Sequence, residues 1–309
     1  MLERFLVPLD ATVNAAGIVP HVTELARRMG QPVVVLSVIP NAFEGDASPL
    51  RDDFASQKRR FFEFRKGLAR RYLNKICAQF RNDGVWATST VVTGDEAAGI
   101  LSTAEAKGVG LIAMSTHGRT GAQRWFMGSV ADKVIRTALT PVLLVRPTAE
   151  SDEPAPLFTA LLVPLDGSAM AEAALTYATF LAKNLGVPVT LIRSLDLSWA
   201  IASDGLGWFE SVSVDLVRAA ESDAHSYLEH TADRLRGEGI EVGTSLSQGA
   251  SPAAEIIKLA DVTPGALVVM TTHGRSGVSR ALLGSVTDKV VRSSAAPVLV
   301  IPPGAEGPM

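Results

Sequence analysis

Residues 111–146 read LIAMSTHGRTGAQRWFMGSVADKVIRTALTPVLLVR, and residues 267–302 read LVVMTTHGRSGVSRALLGSVTDKVVRSSAAPVLVIP. At one constant spacing, Gly118, Gly128 and Pro141 recur as Gly274, Gly284 and Pro297. In each copy, an aliphatic run leads into Thr-His-Gly-Arg, a loop with glycine, Gly-Ser, a helical pattern and Pro-Val-Leu. This order predicts a buried strand, a loop, a helix and a second buried strand.

The repeat covers almost the whole chain and predicts two domains. A chain of 309 residues has room for about two domains of roughly 150 residues each. Residues 147–157 are rich in proline and acidic residues, a composition typical of an interdomain linker. We therefore predict one domain over residues 1–148, a linker over 149–157 and a second domain over 158–309.

Strands and helices alternate in each half, which predicts an α/β fold with a parallel sheet and helices on both faces. In the first half we expect strands at residues 4–9, 32–39, 85–92, 111–115 and 142–145, with helices between them. Such sheets bind ligands beyond the carboxyl ends of their strands, where the strand order reverses. Asp10 ends the first strand and the Thr-His-Gly loop ends the fourth, so we expect both at one crevice.

Composition argues against several classes of protein. The net charge of −3 at pH 7 is not that of a chain that coats nucleic acid or an anionic membrane. The single cysteine, Cys77, cannot form an intramolecular disulfide and fits a reducing compartment. The sequence starts without a signal-peptide pattern, and no apolar run approaches the ~20 residues that span a bilayer. We therefore expect a cytoplasmic protein that binds neither nucleic acid nor membrane.

A long helix pattern follows the second strand. Its apolar positions have the spacing of a helix that packs on a sheet; they are Phe61, Phe64, Leu68, Tyr72, Ile76 and Phe80. Between Lys58 and Arg71 the same segment holds seven basic residues and one acidic residue, Glu63. Because the charges lie opposite the apolar stripe, we interpret them as a solvated helix face, with an RNA-binding surface as the alternative.

The duplicated loop has the composition of a phosphate-binding loop. Glycines before a helix let backbone N–H groups approach a phosphate, and the helix dipole favours an anion there. Positive charge in the same loops comes from Arg119, Arg124, Arg275 and Arg280. The alternative is that the glycines only permit turns and that Ser129 and Ser285 only cap helices, in capping boxes with Asp132 and Asp288. The duplication, together with the aspartate after the first strand, favours phosphate binding.

Other candidate residues have less specific signals. Asp10 and Asp166 could accept hydrogen bonds from ribose hydroxyls, or each could cap the helix that follows. His117 and His273 have no metal-ligand spacing to other residues, so we interpret them as structural. The sequence contains none of the motifs G-x-x-x-x-G-K-[ST], G-x-S-x-G or H-E-x-x-H, and no G-x-G-x-x-G after the first strand. No motif pairs a nucleophile with a general base, which predicts little or no enzymatic turnover.

With both loops in view, the chain resembles a tandem universal stress protein. The loop pattern of that family is Gly-x-x-Gly, nine residues, then Gly followed by Ser or Thr. Here Ser115 and Thr271 replace the first glycine, and the rest of the pattern is present in both halves. The resemblance implies a five-stranded sheet of order 3-2-1-4-5 in each half. It also implies that the halves pair through their last strands, around residues 142–145 and 298–301. The sequence leaves open whether two chains form a homodimer.

The resemblance further implies adenine-nucleotide sites that hold ATP, with or without magnesium. In the first half, the matching positions are Pro8, Asp10, Val38, Met114, Ser115, Gly118, Arg119, Gly128, Ser129 and Val130. In the second half they are Pro164, Asp166, Ser194, Met270, Thr271, Gly274, Arg275, Gly284, Ser285 and Val286. The aspartate would hold ribose, the position of Val38 would contact adenine, and the Gly-Ser loop would bind the phosphates.

These sites imply a nucleotide-dependent regulatory module in stress response. A scaffold that binds no nucleotide and a weak ATP hydrolase are the alternatives. Where the first half has Val38, the second has Ser194 next to Arg193, a less apolar contact for a base. We therefore predict that the first half binds ATP more tightly. We also expect Gly167 to begin a helix rather than to contact ligand.

Overall fold

The computed structural model describes residues 2–40, 52–116, 127–146, 157–195, 210–248, 251–273 and 283–305. The chain divides into two compact units, residues 1–147 and 148–309. The predicted bounds of the domains and the linker stay a prediction, as does the pairing of the two halves.

The first unit is a parallel α/β sheet. Its elements are β1 (Phe5–Pro8), α1 (Val13–Ala16), α2 (Val19–Met29), β2 (Val33–Ile39), α3 (Asp52–Asn82), β3 (Ala87–Thr93), α4 (Glu96–Ala106), β4 (Leu111–Ser115), α5 (Ser129–Thr137) and β5 (Val142–Val145). The strand order is β3-β2-β1-β4-β5, and every pair is parallel. Leu6 of β1 lies between Val34 of β2 and Ile112 of β4, so the order reverses between β1 and β4. The predicted fold class is confirmed.

The second unit repeats this plan. Its elements are β6 (Ala160–Pro164), α6 (Ala169–Leu185), β7 (Val189–Leu195), α7 (Glu210–Arg236), β8 (Val242–Gln248), α8 (Pro252–Asp261), β9 (Ala266–Thr271), α9 (Ser285–Ser293) and β10 (Val298–Ile301). The order β8-β7-β6-β9-β10 is again parallel throughout. Leu162 of β6 lies between Thr190 of β7 and Val268 of β9. Its switch point is therefore between β6 and β9.

Each core lies between the central strands and the helices on the two faces. All four residues of β5 and all six of β9 are buried, as expected for parallel strands covered on both sides. The edge strand β3 is largely accessible, since only its first residue is fully buried. None of the described helices combines the length and apolar character needed to cross a bilayer.

Helix α3 differs from its predicted packing. Phe61, Phe64 and Leu68 are exposed, with 52%, 60% and 45% of their surface accessible, so the expectation that the whole apolar stripe packs on the sheet is wrong. The residues that α3 does bury are Leu73, Ile76, Cys77 and Phe80. At about 100° per residue, their mean direction lies roughly 130° around the helix from the exposed stripe. The core therefore takes one face of α3 and leaves a second apolar face uncovered.

The helical pattern after β1 is also interrupted. We predicted one helix that starts after Thr12 and ends near Gly30. The chain instead forms α1 and α2 with a break at residues 17–18. Pro20 stands at the start of α2, where its missing N–H leaves no helical hydrogen bond unmade. The predicted end is confirmed, because Gly30 takes a left-handed conformation (φ 64°) at the C-cap.

Candidate functional site

Each unit has a cavity at the carboxyl ends of its strands, of about 270 Å³ in the first unit and about 280 Å³ in the second. From the predicted site, the first cavity is lined by Pro8, Asp10, Val38, Met114, Ser115, Gly128, Ser129 and Val130. The second is lined by Pro164, Asp166, Ser194, Met270, Thr271, Gly284, Ser285 and Val286. The predicted positions Gly118, Arg119, Gly274 and Arg275 lie outside the described residues, as do His117, Arg124 and Arg280. Every predicted site residue that is described therefore lies in one of the two cavities.

The aspartate after the first strand of each unit braces the turn that follows. Asp10 Oδ1 accepts hydrogen bonds from the Thr12 backbone N–H (3.0 Å) and hydroxyl (2.6 Å). The Thr12 hydroxyl in turn accepts from the backbone N–H of Ala15 at 3.1 Å. The second unit repeats these bonds, with 2.9 and 2.6 Å from Ser168 to Asp166 Oδ1. The helix is therefore capped by the hydroxyl, and the aspartate orients that cap instead of capping the helix itself.

The residue between the aspartate and the cap has left-handed backbone geometry in both units. Gly167 has φ 83° and Ala11 has φ 64°. Glycine adopts this region freely, whereas an L side chain there costs about 1–2 kcal/mol. The prediction that Gly167 begins a helix is wrong, because α6 starts at Ala169 with Ser168 as its N-cap. Gly167 instead forms the tight turn that points the aspartate into the cavity.

Helices α5 and α9 direct their N-termini at the cavities. Gly128 and Gly284 are the N-caps, and no side chain within the described ranges caps either helix. The alternative of capping boxes at Ser129 and Ser285 is wrong, because neither serine is an N-cap. Asp132 instead pairs with Arg136, and Asp288 of α9 with Arg292, both at 2.9 Å. First-turn N–H groups without a side-chain cap are suited to binding an anion.

Gly284 also has a structural reason to be glycine. Its N–H donates to the Thr272 carbonyl at 2.8 Å, and a Cβ added at Gly284 would lie 3.0 Å from that same oxygen. A side chain would therefore force the helix away from the strand end. Gly128 makes the equivalent 2.8 Å bond to Thr116. The close approach of strand end and helix thus accounts for Gly284, and in both units it brings the helix N-terminus to the cavity.

The wall contributed by the second strand of each unit differs in polarity. Val38 of β2 is next to Val92 of β3 in register, and a Cβ added at Gly99 would touch both valines at 3.0–3.3 Å. In the second unit the corresponding pair is Ser194 and Ser247. Both serine hydroxyls are buried, and neither has a hydrogen-bond partner in the described part of the chain. At this position the first cavity is therefore lined by an aliphatic side chain, and the second by a serine whose hydroxyl has no partner among the described residues.

A charged and aromatic group supports the turn of the second unit. The guanidinium of Arg193 lies 4.8 Å from the ring centre of Tyr227, a cation–π distance. The Tyr227 hydroxyl donates to Glu172 at 2.8 Å. Burial, followed by this hydrogen bond, raises the pKa of Tyr227. A Cβ on Gly167 would lie 3.4 Å from Arg193 Nη2, so the group packs directly against the turn that carries Asp166.

The first unit lacks this group. Ser37 and Ala16 stand where the second unit has Arg193 and Glu172. Tyr72 corresponds to Tyr227, but its buried hydroxyl finds no hydrogen-bond partner among the described residues. Burial, and then the charge of Asp10, raise the pKa of Tyr72. Sequence reasoning missed both tyrosines, because their role depends on a contact between a helix and a turn that are distant in the chain.

His273 contributes to the second cavity, a role that the sequence did not predict. Its ring is buried, its Nδ1 lies 3.0 Å from the Thr272 hydroxyl, and its Nε2 has no partner within the described ranges. The Thr271 hydroxyl donates to the His273 carbonyl at 2.7 Å. The neighbouring Thr287 hydroxyl donates to the Thr271 carbonyl at 2.9 Å. These bonds fix the strand end, as expected of a structural histidine, and leave one buried ring nitrogen in the cavity wall.

The structure adds further lining residues to each cavity. In the first they are Leu9, Ala15, Glu96, Ile100, Thr116 and Ala131. In the second they are Leu165, Ala171, Ile192, Pro252, Ile256 and Thr287. Two come from the first turn of the helix after the third strand, with Glu96 in one unit and Pro252 in the other. That helix follows a parallel strand, so it also starts at the carboxyl edge of the sheet. The predicted order of strands and helices could therefore have placed its first turn at the site. Among the described residues, no cluster of His, Cys, Asp and Glu could hold a metal ion.

Comparison with known proteins shows similarity to one family along most of the chain. A model of the universal stress protein family matches residues 1–146 and again 158–302. A universal stress protein of Methanocaldococcus jannaschii, MJ0531, is 30% identical over 145 residues, which cover 47% of this chain and 82% of that protein. The universal stress protein YxiE of Bacillus subtilis is 28% identical over 148 residues, covering 47% and 99%.

Solved structures give the same result for the fold. A universal stress protein from Archaeoglobus fulgidus superimposes with a TM-score of 0.73 over 97% of this chain and 98% of that chain, at 21% identity. At that identity the similarity concerns the fold alone. The α/β architecture of both units therefore has a solved counterpart along nearly the whole chain.

Proposed function

This chain belongs to the universal stress protein family, and we propose that it binds ATP in its two cavities as a nucleotide-dependent regulatory module in stress response. One observation carries the proposal. In each unit, the described candidate residues from the first, second and fourth strands and from the helix after the fourth strand line one cavity. Volumes of 270 and 280 Å³ are near the lower end of the ~300–1,000 Å³ of small-molecule pockets.

The parts of each cavity suit the parts of a nucleotide. The first-turn N–H groups of α5 and α9, which no described side chain caps, suit the phosphates. The carboxylates of Asp10 and Asp166, oriented by the turn, suit the ribose hydroxyls. Val38 with Ile100 offers the base an apolar surface, and Glu96 is a hydrogen-bond acceptor one turn before Ile100 on the same cavity wall. An amino group on the base could donate to that carboxylate.

We propose that ATP is held rather than turned over. The sequence contains no motif that pairs a nucleophile with a general base, and enzymes need such groups placed within hydrogen-bond reach of the reacting atoms. A hydrolase would release phosphate at a rate approaching the ~10 per second typical of enzymes. Steady-state phosphate release with magnesium therefore separates the regulatory module from the hydrolase.

The proposal is tested by identifying the nucleotide that leaves the purified protein on gentle denaturation. Mass spectrometry should find ATP, and the Asp10→Ala/Asp166→Ala variant should retain little of it. The matched control is Asp83→Ala/Asp261→Ala, which removes two exposed carboxylates outside the cavities and should retain ATP. ADP or AMP would favour the hydrolase. Protein that carries no nucleotide and binds none on titration would favour the scaffold and contradict the proposal.

A further inference from the structure

The exposed apolar stripe of α3, formed by Phe61, Phe64 and Leu68, is not explained by the fold or by the nucleotide sites. The three side chains are 52%, 60% and 45% accessible and have the spacing of one helix face. The core is served by a different face of the same helix, so folding does not require large apolar residues here. Contiguous exposed apolar surface of this kind marks an interaction site.

The charge around the stripe is strongly positive. Residues 59–71 contain six basic residues and one acidic residue, although the whole chain carries −3. On a helical projection, Arg60 and Arg71 border the stripe on one side and Arg65 on the other. Arg60 and Arg71 are exposed, and the acidic Glu63 already pairs with Lys66 at 3.0 Å. The surface is therefore an apolar line bordered by cations, so the expectation that the charges lie opposite the stripe is wrong for Arg60, Arg65 and Arg71.

The position of the stripe leaves it accessible. The charge of Asp10 reaches Tyr72, which places that turn of α3 beside the first cavity. At 1.5 Å per residue, Phe61 lies about 16 Å further toward the N-terminus of the helix. This part of α3 therefore extends beyond the turn of the helix that lies beside the cavity.

The corresponding part of the second unit has a different character. At the positions that match Phe61, Phe64 and Leu68, helix α7 has Leu216, Ala219 and Asp223. Leu216 is exposed (52%), but the next two positions of this face are the small Ala219 and the acidic Asp223. The stripe and its cations thus belong to one unit, which argues against a requirement of the shared fold.

We propose that the stripe of α3 is a docking surface for an anionic phospholipid membrane. A helix with Phe and Leu on one face and Arg and Lys beside it lies in the membrane interface, with its apolar face at the acyl boundary. The arginines reach the lipid phosphates, and each contributes through the negative surface potential. Binding is peripheral, since it uses three side chains and no spanning segment. The net charge of −3 is a sum over the whole chain and does not describe the basic cluster on α3. The expectation of no membrane partner, which rested on that sum, therefore does not apply to α3.

Two other occupants fit the surface less well. A second copy of the chain would bring an equally cationic stripe against this one, and like charges in contact oppose association. Single-stranded nucleic acid is held in positively charged grooves with aromatic stacking platforms, whereas this surface is a convex helix face with an aliphatic residue in its line. Charge and shape together favour the lipid surface.

The test is co-sedimentation of the full chain with phosphatidylcholine vesicles, with and without phosphatidylglycerol. We expect binding only when phosphatidylglycerol is present, with weaker binding at high salt. The Phe61→Ser/Phe64→Ser/Leu68→Ser variant should bind on the order of a hundredfold less tightly. Arg60→Gln/Arg71→Gln should lose about fivefold for each arginine.

Leu216→Ser is the matched control, because it removes an equally exposed apolar side chain from α7 and should bind as the parent does. All replaced side chains are exposed, so unfolding midpoints should stay close to that of the parent. Absence of sedimentation with anionic vesicles would overturn the proposal. Binding that the stripe variant retains would also overturn it. The proposal would also be overturned if the parent protein did not bind vesicles but formed an RNA complex or a dimer, and the stripe variant lost that association.

Discussion

The two cavities share one backbone plan, and the residue that the second strand of each unit contributes to the cavity wall differs between them. In the first unit Val38 lines the cavity and is paired in register with Val92. In the second unit Ser194 lines the cavity and is paired with Ser247, and both hydroxyls are buried without a described partner. The strand, turn and helix that shape the site are the same in both units. The comparison teaches that the fold positions a site, while individual wall residues decide how well it holds a given ligand.

The turns that carry the aspartates differ in their support. Gly167 takes its left-handed conformation without strain and packs against Arg193, which stacks on Tyr227. Ala11 takes the same conformation with a side chain, and Tyr72 has no described partner for its hydroxyl. The second turn is thus held by more interactions. The first combines backbone strain with a more apolar wall.

Exchange of the wall residues should have the largest effect. Val38→Ser removes a half-buried aliphatic side chain that packs beside Val92, so we expect the free energy of unfolding to fall by about 1–2 kcal/mol. Ser194→Val removes an unsatisfied hydroxyl and should raise it by about 1 kcal/mol. Urea unfolding of the two variants measures both changes. A loss of stability in Ser194→Val equal to that in Val38→Ser would show that the two walls are equivalent.

The paired tyrosines should show a smaller difference. Tyr227→Phe removes a hydrogen bond to a carboxylate that is partly exposed, so it should lower the free energy of unfolding by about 1–2 kcal/mol. Tyr72→Phe removes a hydroxyl that has no described partner, and it should change stability by less than about 0.5 kcal/mol. Thermal or urea unfolding distinguishes these outcomes. Equal losses in the two variants would contradict the assigned hydrogen bonding.

The contribution of Tyr227 to the free energy of unfolding should depend on pH. The pKa of Tyr227 is raised above its ordinary value of 10.0, first by burial and then by the bond to Glu172. The folded state therefore holds the phenolic proton more tightly than the unfolded state. This contribution to stability is fully present below pH 10 and is lost as the pH rises toward the folded pKa. The decline above pH 10 should be smaller in Tyr227→Phe than in the parent, and an unchanged decline would rule out this tyrosine as its source.

The turn residues should have the smallest effect. Ala11→Gly relieves a left-handed side chain but adds backbone entropy to the unfolded chain, so we expect a gain of about 0.5–1 kcal/mol. Gly167→Ala should lose about 1 kcal/mol. If both turns have left-handed backbone geometry, urea unfolding should show changes in the free energy of unfolding of opposite sign for the two variants. The same sign in both variants would mean that they do not.

The sequence predicted much of this architecture because it is duplicated. Two copies of one strand–loop–helix pattern identified the strand ends, and the strand ends identified the cavities, with Asp10 and Asp166 in the predicted places. The roles of Tyr227 and Arg193 could not be predicted, because they depend on contacts between distant segments. Helical spacing placed Phe61 on an apolar face, but spacing alone cannot tell which of two apolar faces packs on the sheet. Asp132 matched a capping pattern and instead pairs with Arg136, since an arginine one turn away competes for the carboxylate.

We propose that both cavities bind ATP through the aspartate of the turn, and that the first cavity binds it more tightly. Calorimetric titration of ATP into the parent protein, Asp10→Ala and Asp166→Ala tests this most directly. A hydrogen bond to a charged group contributes roughly 1.5–3 kcal/mol, so each change should weaken its own site by about ten- to a hundredfold. The prediction is that Asp10→Ala removes the tighter of two sites and Asp166→Ala removes the weaker. Loss of the tight site in Asp166→Ala alone would reverse the ranking, and unchanged titrations in both variants would contradict the claim.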